Sequence, residues 1–367
     1  MMKKYFYMAA IVGLLGFSGC SNDEDGPEPI IDPVMYSTGA FVVNSGNMGK
    51  NIPGSLSYFD YSTGTVTNNA FYEANGQYVG DTFNDGLVWG DKIYLAVDKS
   101  NVVQVMDRGT LKLEKTIEMD ATKSNPRRLA GYDNKVYVTL FTGYLAQIDP
   151  ATMSVTATVE VGPNPEAVVA YNDKLYVAVS DGYNSKGGYS EACVAVVDPK
   201  TMQVVKKIDA GINLTDLATN GESLFVLSSG EYEAGTWKQI NYGVKEIKND
   251  QASEILFPAT MMGINAETLY YIDNGYMADA VSYGKYDIAS GKTSAWISGS
   301  DIKSPSGLGV DDLTNSAFVL SYNVGESGYA DYSAAGYMVG YDGDGKKIGT
   351  YNVGIGAVRM FFNHQEK

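Results

Sequence analysis

Two short patterns recur along this chain with one shared period, and that repetition restricts its fold more than any residue count. The first is a polar turn followed by an alternating strand. It reads Trp89-Gly90-Asp91-Lys92-Ile93-Tyr94-Leu95, then Tyr132-Asp133-Asn134-Lys135-Val136-Tyr137-Val138, then Tyr171-Asn172-Asp173-Lys174-Leu175-Tyr176-Val177. Taking that strand's aromatic as a marker gives Phe41, Tyr94, Tyr137, Tyr176, Phe225, Tyr270 and Phe318, at intervals of 53, 43, 39, 49, 45 and 48 residues. The second pattern closes one strand and turns into the next. Its clear copies are Ile148-Asp149-Pro150-Ala151-Thr152-Met153 and Val197-Asp198-Pro199-Lys200-Thr201-Met202, with weaker ones beginning at Asp60, Asp107 and Asp287.

Two markers in step at roughly 40–50 residues are the mark of four-stranded propeller blades. A pair of β-sandwiches or a β-helix would be the alternatives. The 28 Tyr, 12 Phe and 41 Gly fit strands and tight turns, because aromatics suit a pleated surface and glycine permits the turns. One complete repeat covers 166–171, 174–180, 191–197 and 203–209, from inner to outer strand. The first copy begins at Gly39 with its second strand and lacks an inner one. The C-terminal run Gly356-Ala357-Val358-Arg359-Met360-Phe361-Phe362 supplies it. The sequence therefore predicts an all-β, seven-bladed β-propeller over residues 39–363, closed by pairing of its N- and C-terminal strands. Closure removes the exposed sheet edges that invite aggregation.

The first 38 residues read as an address and a tether. Lys3 and Lys4 precede an apolar stretch, 5–17, too short to span a bilayer as a helix. Phe17-Ser18-Gly19-Cys20 resembles a bacterial lipobox, with Phe17 in place of the usual leucine. Residues 1–19 are then a lipoprotein signal peptide and Cys20 the lipidated residue; an ordinary secretory signal with an incidental cysteine is the other reading. Residues 20–38 are acidic and contain Pro27, Pro29 and Pro33, a composition that buries little and tethers. An acidic run directly after the lipidated cysteine resembles the surface-export signal of Bacteroidota lipoproteins. The expected location is the outer membrane, facing outward, since several acyl chains anchor stably where one is marginal.

Several chemistries are disfavoured by counts alone. The only histidine is His364, near the end of the chain, where order is often lost. That argues against a histidine relay or a histidine zinc site. With Cys20 lipidated, Cys193 has no partner; it lies in the apolar run Ala192-Cys193-Val194-Ala195-Val196 and reads as core. The formal charge of −16, which becomes −18 once Lys3 and Lys4 leave with the signal, repels phosphate backbones and disfavours nucleic acid. Neither a nucleophile elbow nor a phosphate loop is evident. Asp342-Gly343-Asp344-Gly345 falls where a hairpin turn is expected, which is the simpler reading than calcium. The chain reads as a binding protein, not an enzyme, with no metal and no required cofactor.

The long connections gather on one face. They span 44–54, 181–190, 230–239, 274–280 and 322–334, and carry Tyr183, Tyr189, Tyr232, Trp237, Asn274, Tyr276, Tyr329 and Tyr332. Aromatics there give contact area at low entropic cost, and small polar groups adapt their hydrogen bonds. The abundance of Tyr in the whole chain is the competing explanation. Arg127 and Arg128 lie at a blade junction on the same face and would serve either an anionic ligand group or a structural salt bridge.

The lipobox, acidic tether, seven-blade pattern and Asp-Pro-x-Thr-Met turns together resemble the surface lipoprotein propellers of gut Bacteroidota. The likeness is strongest to the vitamin B12 capture lipoproteins that work with a TonB-dependent corrinoid transporter. It is carried by Phe41-Val42-Val43-Asn44-Ser45-Gly46-Asn47, Phe71-Tyr72-Glu73-Ala74-Asn75-Gly76 and Tyr351-Asn352-Val353-Gly354-Ile355-Gly356. The resemblance implies a corrinoid as transported ligand and that transporter as partner, but brings no site motif of its own. Against a corrinoid, the loop tyrosines and Trp237 would make apolar contact, Asn47, Asn75 and Asn274 would meet amides, and Arg127 or Arg128 a phosphate. Related propellers that bind glycans, mediate adhesion or capture another large ligand such as a siderophore remain the alternatives.

The anchor is directly testable. Cys20→Ser abolishes lipid labelling and releases the protein from the membrane fraction; retention there without label refutes the lipobox assignment. Protease added to intact cells cuts the wild-type protein, and protection behind a sealed outer membrane would make it periplasmic.

Overall fold

Strand after strand in this chain ends at an aspartate whose carboxylate grips the next turn. Asp149 Oδ1 accepts from Ala151 N at 2.8 Å, Asp198 Oδ1 from Lys200 N at 2.9 Å and Asp107 Oδ1 from Thr110 N at 2.8 Å. In two blades this same aspartate pairs with the lysine that opens the second strand, Lys135 with Asp149 and Lys174 with Asp198. The two sequence patterns are thus the two halves of one contact, made once the hairpin has folded.

The computed structural model describes residues 34–278 and 280–367. The expected signal peptide, Cys20 and most of the expected tether lie outside the described residues. Seven four-stranded antiparallel sheets follow one another along the chain. The fourth blade is Pro165–Tyr171, Lys174–Val179, Cys193–Asp198 and Gln203–Ile208, within two residues of the expected bounds. The seven marker aromatics, from Phe41 to Phe318, are all buried in second strands. Second strands such as Lys92–Val97 are buried on both faces, being covered by the neighbouring blades, whereas the outer strand Leu113–Glu118 is mostly exposed.

In the first blade the innermost strand is Ala357–Glu366, followed by Met35–Asn44, Ser55–Asp60 and Thr65–Thr67. The terminal ladder runs from Met35 opposite Glu366 to Asn44 opposite Ala357. It begins four residues before the expected Gly39 and ends beyond residue 363, because each strand lengthens as long as its partner continues. Two elements were not expected. A helix, Ala70–Asn75, buries Ala70 and Phe71, and a two-stranded hairpin, Glu231–Tyr232 with Gln239–Ile240, rises from the fifth blade.

Adjacent inner strands interlock through missing side chains. A Cβ on Gly86 would lie 2.1 Å from the Phe361 ring, and one on Gly131 would lie 2.1 Å from the Trp89 ring. These glycines are the sockets into which the preceding blade inserts an aromatic.

Two predictions follow from this packing. Gly131→Val overfills the Trp89 socket and costs about 1–3 kcal/mol, read as a lowered denaturation midpoint; an unchanged midpoint would mean that the blades are free to slide apart. The second concerns acid. Hydrogen bonds from Ser62, Thr110, Lys135, Lys174 and Ser290 hold Asp60, Asp107, Asp149, Asp198 and Asp287 below the ordinary aspartate value of 3.8. A folded-state value below the unfolded one adds stability that is complete above 3.8 and disappears as pH falls through the folded value. Thermal midpoints therefore drop as pH is lowered past 3.8, and Asp198→Asn makes that drop shallower.

Candidate functional site

The loops between second and third strands, together with the links between blades, converge on one face. Tyr183, Trp237 and Tyr329 are 84%, 67% and 79% exposed there, and Tyr232, Tyr276 and Tyr332 are also exposed. The loops are tied to one another. Gln239 in the hairpin donates its backbone N to Tyr276 O at 3.1 Å and accepts from Tyr276 N at 3.0 Å. Tyr232 then meets Tyr276 edge-on at 6.1 Å, joining blades five and six. Asn274, beside them, is half-buried. Asn47 Nδ2 donates to Tyr332 O at 2.9 Å, joining blades one and seven, and Tyr332 packs edge-on against Tyr322 at 4.9 Å. A recess of about 400 Å³ opens there, lined by Asn47, Lys50, Tyr329, Asp331 and Tyr332. Met277, exposed next to Tyr276, was not singled out from sequence.

Other expected contact residues are engaged elsewhere. Tyr189 is buried, because its loop folds back over it with Tyr189 N bonded to Asn184 O. Asn75 does not reach the rim. The link carrying it forms the short helix and descends along the outer edge, where Asn75 bonds Phe71 O, Leu111 O and Leu113 N. Arg127 is a structural ion pair: it forks onto Glu166 at 2.9 Å through Nε and Nη2 and reaches Asp98 at 3.1 Å. Its guanidinium also lies 5.0 Å from the centre of the Phe141 ring, against which Tyr183 packs edge-on.

The axis of the ring holds a feature that the sequence reading missed. Six of the seven inner strands carry a register shift near their start on this face. A bulge of this kind re-aims side chains. Here it accompanies a cluster of charges at the mouth of the central channel: Asp85, Arg128, Asp216 and Arg359, beside the Arg127–Glu166 pair. Arg359 spans the opening. Its Nη1 and Nη2 each lie 3.2 Å from an Asp216 oxygen, and its Nε lies 3.3 Å from Asp85. Burial alone would lower the Arg359 guanidinium, but Asp216 and Asp85 outweigh it and raise it. Burial pushes the Asp85 carboxyl up, against the pull of Arg359 and Arg128. Below the mouth is a cavity of about 470 Å³, polar near Arg128, Asp216 and Ser306 and apolar further down, towards Met360 and Phe362.

The remaining reactive groups are held structurally. His364 is ordered within the terminal strand, with Nε2 3.2 Å from Asp311. Asp311, Asp312 and His364 are close enough to share one ion, but Asp311 already accepts from Ser37, Tyr61 and Leu313 N and serves as a clasp on the closing strands. Burial pushes the Cys193 thiol up, away from a reactive thiolate. Asp342 Oδ1 accepts from Asp344 N and Lys346 N, which makes that motif a hairpin turn.

The fold is shared with solved structures of low sequence identity. Apo AztD from Citrobacter koseri aligns with a TM-score of 0.54 at 12% identity, over 90% of this chain and 98% of that one. Kuenenia stuttgartiensis hydrazine synthase aligns at 0.51 and 14%, over 76% and 88%. The Neurospora crassa Pan2 WD40 domain aligns at 0.50 and 8%, over 74% and 78%. Such identities carry the fold alone. No curated protein matches the chain in sequence. Residues 38–360 match the family described as "Domain of unknown function (DUF5074)", and the chain belongs to that family.

Proposed function

We propose that this protein is a surface-tethered capture protein that binds a corrinoid on its long-loop face and passes it to a TonB-dependent outer-membrane transporter. The observation carrying this reading is the aromatic rim. Tyr183, Tyr232, Trp237, Tyr276, Tyr329 and Tyr332 come from loops of four blades and are exposed together on one face. Exposed aromatics concentrated on a rigid frame favour a broad ligand with apolar edges. A corrinoid is such a ligand, and its amide arms suit the Asn and backbone groups between those rings. Loops crosslinked through Gln239 and Asn47 make the rim preorganised, so little ordering is needed on binding. The lipid anchor at Cys20 would hold the loaded protein near the transporter and raise its effective concentration there. Binding without chemistry fits the structural roles of His364 and Cys193.

Titration of cyanocobalamin into the full-length, soluble Cys20→Ser chain is the test. Saturable binding below micromolar concentration is expected, with Trp237→Ala and Tyr276→Ala each costing about 1–2 kcal/mol. An absence of binding at micromolar concentration rejects the corrinoid. Saturable binding of an oligosaccharide instead, lost in the same variants, would assign the rim to glycans.

A further inference from the structure

Arg128 is the one guanidinium at the channel mouth whose donors are left over. Nη1 donates to Asn84 O at 2.7 Å; Nε is buried with no partner, and Nη2 makes no hydrogen bond among the described residues. A half-buried cation with an unmatched, buried Nε is costly unless a further acceptor completes it. Its neighbours are spent: Arg127 is divided between Glu166 and Asp98, and Arg359 between Asp216 and Asp85. Burial, with Arg359 close by, pushes the Arg128 guanidinium down to about 10, which leaves it cationic and donor-only at neutral pH.

The charge balance decides what the missing acceptor is. Three guanidiniums, on Arg127, Arg128 and Arg359, together with the Lys99 ammonium on Asp98, balance four carboxylates, on Asp85, Asp98, Glu166 and Asp216. An added anion would leave that balance net negative, and an ammonium would leave it net positive and meet Arg128 and Arg359 directly. A neutral group that accepts on one side and donates on the other suits both. Asp216 provides the complementary acceptor, for its oxygens take only the Arg359 fork and Leu217 N.

We infer that the channel mouth is a receptor for a primary carboxamide, with its carbonyl oxygen on Arg128 Nη2 and its N–H on the Asp216 carboxylate. The cavity below, about 470 Å³, falls within the usual range for small-molecule sites and has room for the arm that bears the amide. The inference rests on the capture reading only for the molecule carrying that arm; a corrinoid lying on the rim would direct one of its amide arms down the axis. It also replaces the expected phosphate contact at Arg127 or Arg128.

The test reads the arginine side-chain Nε–Hε resonances of the full-length Cys20→Ser chain by NMR, with Arg128→Met identifying the Arg128 signal. Acetamide and propionamide are expected to move that signal saturably, whereas acetate, inorganic phosphate and methylammonium leave it in place. An Arg128 signal unmoved by the amides overturns the inference. Displacement by acetate or phosphate without the amides overturns it too, by making the mouth an anion site. If Arg128→Met does not fold, Arg128→Lys makes the identification and the wild-type titration still decides. Cyanocobalamin is then titrated into both chains, with about tenfold weaker binding expected for Arg128→Met. Equal binding to both keeps the capture reading and overturns the placing of a corrinoid amide arm at the channel mouth. Amide binding at Arg128 without cyanocobalamin binding keeps the site and removes the corrinoid.

Discussion

Everything on the long-loop face depends on one antiparallel ladder, between Met35–Asn44 and Ala357–Glu366. A propeller blade is stable against its neighbours only if the ring is complete, since an open ring leaves two sheet faces in water and two strand edges unpaired. Here the first blade is built from Met35–Asn44 and Ala357–Glu366 together, so neither of these strands can fray without opening the ring. Side chains reinforce the ladder. Arg108 of the second blade bonds Asn363 Oδ1 and His364 O, and Asp311 of the seventh accepts from Ser37, Tyr61 and His364. Burial alone would raise the Asp311 carboxyl, yet those hydrogen bonds hold it low, so it remains an ionised acceptor at the seam.

The same ladder delivers the mouth of the channel. Arg359 lies on the last strand, opposite Val43, next to the bulge that ends the ladder. From there it crosses to Asp216 on the fifth blade and touches Asp85 on the second. Blades that share no edge are thereby connected across the axis. Such an ion pair is not a large source of stability, because desolvation offsets much of its attraction. Its consequence is geometric: it fixes three blades' inner strands at one spacing, and with them the loops that rise from those blades.

Much of the frame was legible in the sequence because its signals are local. An aspartate that ends a third strand three residues before a threonine makes its turn locally, as Asp60, Asp107, Asp149 and Asp198 do, and the Lys135–Asp149 and Lys174–Asp198 contacts lie within single hairpins. Seven marker aromatics could be counted because each blade buries that position for the same reason. The rim was partly legible, as loops outside the repeat are free to vary and six of their aromatics are exposed. Tyr189 and Asn75 were misjudged because exposure inside a long connection depends on how it folds back, which no local pattern reports. The channel mouth was invisible for a different reason. Asp85, Arg128, Glu166, Asp216 and Arg359 occupy related places near the starts of inner strands, but differ in residue type and come from five blades. Only ring closure brings them together. The signal was positional: the two or three residues after the link into each inner strand could have been read across blades.

The charge arrangement links mouth and rim into one functional argument. A chain with a formal charge of −16 repels anions at long range, so an anionic ligand would approach this face against the field. A large neutral or zwitterionic ligand would not. At short range the requirement changes, because a mouth of paired charges rewards groups that can donate and accept together, and penalises any that bring a net charge of either sign. On the proposed reading the rim would select for breadth and apolar edges, and the axis for a neutral polar arm projecting from the centre. A molecule has to satisfy both conditions at once. Selectivity of that kind is a property of the closed ring, for neither the loop aromatics nor the arginines could impose it from a separate blade.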